Sequence, residues 1–183
     1  MSCDLSAGRL INCRDIVGGI QAVYFINFGG LGAITLTNDE VTDMAGTFQA
    51  FKFDVRSTGN SLEQAITASN ESGTTFFEQT LSLSLPKLTK EDMVQFKLLT
   101  FGRPHCVIVD NNGNALLAGK EHGLSVSGGS ITTSDSMAGM SGTTLTLSGQ
   151  EKLPANFIAG ATVANPFVGL SSATETIVVG TNS

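Results

Sequence analysis

The chain has 183 residues, a length expected of one domain, and carries a net charge of −6. With 10 Lys and Arg and 16 Asp and Glu, only 14% of its residues are charged, against roughly 25% in an average soluble domain. A general nucleic-acid or membrane-surface binder needs a basic footprint, and these few scattered bases exclude one. Ser (18), Thr (20) and Gly (21) supply about a third of the chain, so its polar faces are hydroxyls rather than ions. At 41% apolar residues the chain can bury a core, which excludes wholesale disorder.

In chain order, residues 1–15 read as a polar N-terminal arm without the pattern of a secretory signal. A β-favouring run follows at residues 23–28, broken by Gly29, Gly30 and Gly32, and an alternating strand at 33–37. Residues 47–55 carry Phe48, Phe51 and Phe53 between polar neighbours, and a further strand is expected at 62–68. The clearest strand spans 74–85, with Phe77, Gln79, Leu81, Leu83 and Leu85 on one face and Glu78, Thr80, Ser82 and Ser84 on the other.

Pro86 ends that strand and a helix is predicted over 89–101. Thr89 is its N-cap, Asp92 completes a variant capping box, and Leu88 and Met93 form the hydrophobic staple. Val94, Leu98 and Phe101 share a stripe expected to face the core, while Gly102 and Pro104 stop the helix. Residues 106–109 and 115–118 form a hairpin around an Asp/Asn/Gly turn. A strand is expected at 123–127, a Gly/Ser/Met loop at 128–142 and a strand at 143–148. The last segment, 153–183, reads as a C-terminal arm ending in a strand. The fold class is therefore mainly β, a sandwich or small barrel with one packed helix, extended loops and arms, and a domain at 16–152.

Candidate chemistry is sparse. Asp110, Asn112, Asn114 and Glu121 imitate a calcium loop, but Ala115 stands where that loop needs Gly, and a hairpin turn explains the pattern better. His105, Cys106 and His122 are the clustered metal-capable residues, yet strand neighbours point to opposite faces, which favours a buried Cys106 beside an exposed His105. Cys3, Cys13 and Cys106 are too few and too widely spaced for a disulfide framework or a zinc signature. A Cys106–His122 pair is the remaining nucleophile–base arrangement, with a structural role favoured. Gly18-Gly19 and Gly29-Gly30-x-Gly32 lack phosphate-loop spacing. The uncharged stretches 16–38 and 153–174 are too polar and too broken for a membrane helix. No catalytic, cofactor-binding or metal residue is assigned and no cofactor is expected.

The order of elements carries a resemblance. Gly18-Gly19-Ile20 stands ahead of the 23–28 strand. The long strand 74–85, the capped helix, the 107–117 hairpin, His122-Gly123-Leu124 and the 143–147 strand follow. Over residues 13–150 this resembles the tail tube proteins of long-tailed bacteriophages. The opening from Cys13-Arg14-Asp15 to Phe28 is similar to virion proteins of phages infecting Bacteroidetes. The resemblance implies a non-enzymatic structural protein of the phage tail, made in the bacterial host cytoplasm. It would self-assemble as stacked hexameric rings, meet other virion proteins, and let DNA pass without specific binding. A capsid decoration, tail-terminator or fibre protein is the alternative, and a ligand-binding or hydrolytic β-sandwich a second. The loops 35–48 and 128–142 and the arm 157–179 are the expected assembly elements, with Phe157, Phe167, Ile177 and Val178 as apolar anchors.

Overall fold

In the computed structural model, which describes residues 7–9, 16–55 and 58–180, the apolar run after Gly19 becomes strand β1 (Ile20–Ile26), buried on both faces. Successive side chains of a strand point to opposite sides, so one run serves two cores. Ala22, Tyr24 and Ile26 enter a cluster with Met44, Phe48, Val107 and Leu117. Val23 and Phe25 enter another with Leu81, Leu83, Cys106, Ile108 and Leu147.

The first cluster lies inside a large sheet. Around β1 this sheet contains β2 (Ile34–Thr37), β3 (Glu40–Met44), β4 (Gly46–Asp54), β7 (His105–Asp110), β8 (Ala115–Ala118), β11 (Asn156–Ile158) and β12 (Ala173–Val179), in the order β12-β4-β1-β7-β8-β11-β3-β2. β3 runs into β4 through Ala45 and Gly46, although the two stand near opposite ends of this order. The sheet must therefore curl on itself, and Gly46, with φ of 110°, makes the corner between them.

A second, four-stranded sheet runs β5-β6-β10-β9, antiparallel throughout. It comprises β5 (Ser61–Ser69), β6 (Thr74–Pro86), β9 (Ser125–Thr132) and β10 (Gly142–Glu151). Leu81, Leu83, Leu85, Leu145 and Leu147 pack against the outer side of β1 and β7, forming the second cluster. The predicted alternation of the 74–85 strand is thus observed: its apolar row faces the core. Gln79, on that row, is buried but satisfied. Its Nε2 donates to Leu153 O (3.4 Å) and its Oε1 accepts from Gly119 N–H (2.8 Å). The fold is mainly β, two sheets with one helix, as expected.

Helix α1 (Lys90–Phe101) starts where its caps predict. Thr89 Oγ1 accepts from Asp92 N–H at 3.1 Å, and Gly102 N–H closes on Leu98 O and Leu99 O. Its orientation differs from expectation. Phe96 is the buried residue, near Phe53 (ring centroids 6.3 Å apart), while Val94, Leu98 and Phe101 stand 53%, 62% and 82% exposed. Apolar residues lie on both sides of this helix, and the Phe96–Leu99 side is the one that fits the second cluster.

Three further expectations are corrected. Residues 35–48 are not a loop but carry the β2–β3 hairpin, turned by Asn38 and Asp39 at φ of 52° and 61°. The segment 128–142 is strand as far as Thr132, pairing with β10. The C-terminal segment is no arm, because β11 inserts between β8 and β3 and β12 pairs in parallel with β4. Of the expected N-terminal arm, only residues 7–9 lie within the described residues, and Cys3 and Cys13 lie outside them.

Phe167 is 1% exposed and meets Tyr24 and Phe48 edge to face, at 5.7 and 5.3 Å between centroids. Phe167→Ala is expected to lower unfolding free energy by about 3–5 kcal/mol in urea titration. Phe157→Ala, at a half-exposed ring, is expected to cost about 1 kcal/mol or less.

Candidate functional site

Among the candidates for chemistry, Asp110, Asn112, Asn114, His105 and Cys106 are engaged within the fold. Asp110 closes the β7–β8 turn: its Oδ1 accepts from Asn112 N–H (2.9 Å) and Asn114 N–H (2.7 Å), and its Oδ2 from both Asn side chains. Partial burial raises the Asp110 pKa, but these hydrogen bonds outweigh it and hold the carboxyl below its ordinary range. The neighbouring asparagines clamp the chain entering β1, with Asn112 bonded twice to Val17 and Asn111 donating to Gly18 O. The imitation of a calcium loop is a hairpin turn with its carboxylate already engaged.

His105 is buried, not exposed as expected. Its Nδ1 lies 2.6 Å from Gly119 O and so carries the proton, and its Nε2 accepts from Gly29 N–H at 3.4 Å. The ring stacks on Phe28, over which Arg103 also lies at 3.8 Å. Both nitrogens are occupied, leaving none for a metal or a proton transfer. Cys106 directs its thiol toward Pro104 O (3.9 Å) rather than an imidazole, and burial pushes its pKa far up. A nucleophile needs the thiolate, which this site suppresses.

Glu121, His122 and Glu151 form the one group among the described residues whose metal-ligand atoms lie within 4.8 Å of one another. Buried Glu151 already has a task there: its Oε1 accepts from the N–H groups of Glu121 (2.9 Å) and His122 (2.8 Å). It ties the turn after β8 to the end of β10. The other two side chains are exposed.

The remaining feature is the outer face of the four-stranded sheet. Cross-strand register lines up Glu63, Thr80 and Ser148 in one row, Ser61, Ser82 and Thr146 in the next, and Ser84, Thr144 and Ser130 in a third. Ser130 Oγ and Thr144 Oγ1 join at 2.9 Å. The strands bring two carboxylates to this face, Glu63 and Glu78, and no Lys or Arg. Its two edges, β5 and β9, pair on one side only, and neither holds a Lys or a Pro to discourage strand addition.

The expected anchors divide. Phe157 is half exposed beside Asp39 and Glu40, and Val178 lines a groove of about 470 Å³ between β4, β12 and the start of α1. Ile177 is half-buried against the first core cluster, and Phe167, wholly inside that cluster, is unavailable to another molecule. The strands expected at 62–68 and 74–85 form the β5–β6 hairpin, and its bare end is the feature that was not expected. β10 ends opposite Phe77, so beyond that point the two strands continue as a bare ribbon with residues 65–75 exposed. Its sequence signal is a strand run with small polar residues on both faces. No protein-family model matches the chain, and no curated protein or solved structure is similar to it. Among the described residues no helix is long and apolar enough to cross a membrane.

Two outcomes are expected. The advantage in stability of the wild type over Asp110→Ala should hold from pH 7 down to about 4 and shrink below it, because a depressed carboxyl loses its contribution on protonation; urea titration across pH measures it. Iodoacetamide should label Cys106 only under denaturing conditions, read by peptide mass.

Proposed function

We propose that this protein is a non-enzymatic structural subunit of a phage virion, the tail tube protein, assembling as stacked hexameric rings around a DNA conduit. The observation that carries the reading is the outer face of the four-stranded sheet. It is hydroxyl-rich and free of Lys and Arg, and its edge strands β5 and β9 each pair on one side only, with α1 packed beside β9.

Pairing β5 of one copy with β9 of the next uses two different surfaces, so it continues from copy to copy and closes when the rotation completes a circle. Such closure removes the exposed edges. The inner cores would stay outside the ring and the hydroxyl face would line its lumen. DNA moving through that lumen meets two carboxylates per copy and no cation. Counterion release, the main source of affinity for nucleic acid, then has no basic partner. Like-charge repulsion keeps the duplex sliding rather than adhering. The engaged His105, Asp110 and Cys106 agree with a protein that does no chemistry.

Negative-stain images of the purified protein are expected to show sixfold rings or tubes; a protein that stays monomeric at high concentration overturns the reading. Ser82→Lys with Thr146→Lys is expected to leave rings intact while creating salt-sensitive retention of duplex DNA, measured by co-sedimentation at two ionic strengths.

A further inference from the structure

Closure through the sheet edges leaves two surfaces unexplained. The first is the outward side of α1. Val94, Leu98 and Phe101 lie opposite the buried Phe96, and Lys90 and Lys97 fall in the same sector at helical spacing. An apolar stripe turned to solvent on a surface helix marks a contact site.

The second is the β5–β6 ribbon. A two-stranded hairpin is marginal in water by itself, and this one is exposed on both faces through residues 65–75. One of its faces prolongs the core-facing row of β6. Ile66, opposite Phe77 in register, continues that row and is 68% exposed. The charged residues from 58 to 86 are Glu63, Glu71 and Glu78, with no Lys or Arg among them. The ribbon therefore offers Ile66 and Glu71 among small polar residues, and the helix stripe is apolar with Lys90 and Lys97 along one flank and Glu91 along the other.

The ribbon's tip and the start of α1 also sit at opposite ends of the molecule's longest strand, and α1 then runs beside β9. The ribbon's turn precedes Thr74, and the helix begins four residues after Pro86. Between those ends β6 rises ~3.3 Å per residue, about 40 Å in all. A copy thus presents one surface at one end and its complement at the other, the arrangement of a head-to-tail contact.

We propose that the β5–β6 hairpin of one copy docks on the outward stripe of α1 of a second copy, Ile66 against Val94, Leu98 and Phe101, with Glu71 toward Lys97. The contact rests on the self-assembly proposed above and deepens it. Sheet edges join copies within a ring, and this contact joins copies end to end. Hydrophobic burial supplies the affinity. The opposite charges select the orientation, since exposed ion pairs add little energy.

The test uses two full-length proteins in a Cys3→Ser, Cys13→Ser background, one with Ser72→Cys and one with Val94→Cys. Mixed under mild oxidation, they are expected to form a disulfide-linked heterodimer that neither forms alone. Leu98→Asp is expected to weaken end-to-end association by at least about tenfold in sedimentation while rings persist; circular dichroism and the melting temperature verify its fold. Rings that form and stack without the cross-link, or that stack normally with Leu98→Asp, overturn this contact and leave the tube reading standing. Absence of any assembly in the wild type overturns both.

Discussion

The structure depends on a middle layer that two cores share. β1 and β7 are buried on both faces, so Tyr24, Val107 and Val109 fill the curled sheet while Phe25, Cys106 and Ile108 meet the second sheet. A layer with no wet face has no room for charge, because burying an unpaired charge is costly. That constraint explains why the runs forming β1 and β7 hold no ionised residue before Asp110. It also explains why His105 and Cys106 face backbone partners. A histidine at the end of a doubly buried strand must engage both ring nitrogens, and a thiol in the middle of one loses access to its thiolate.

Low charge elsewhere has a different origin. The outer face of the four-stranded sheet is wet yet carries hydroxyls where an ordinary surface carries ions. Thr and Ser suit a pleated surface and give it polarity with little charge. Depletion of charge therefore marks two environments, one dry and one polar, which composition alone merges.

The candidate site is distributed rather than concentrated. Its parts are a sheet face, two edge strands, a bare ribbon and an outward helix stripe, and no part requires a polar group held in a strained or desolvated state. Polar side chains with several partners, such as Asp110, Glu151 and Gln79, all tie one segment of backbone to another. Recognition by such a molecule would come from area and shape.

Local signals in the sequence determined most of the elements. The two-residue alternation marked β6 and β10, and Thr89 with Gly102 marked the ends of α1, because pleat and cap act within a few residues. They also determined that Asp110 with its asparagines makes a turn. Tertiary structure alone decided which side of α1 is covered, since apolar residues on both sides satisfy the same periodicity. It decided that Phe167 is core and that β12 joins β4 in parallel, a pairing between distant segments that leaves no local trace. It decided, too, that the β5–β6 hairpin stands bare, because that follows from where β10 stops. A periodic pattern reports that a residue has an apolar side; only the packed chain determines what covers it.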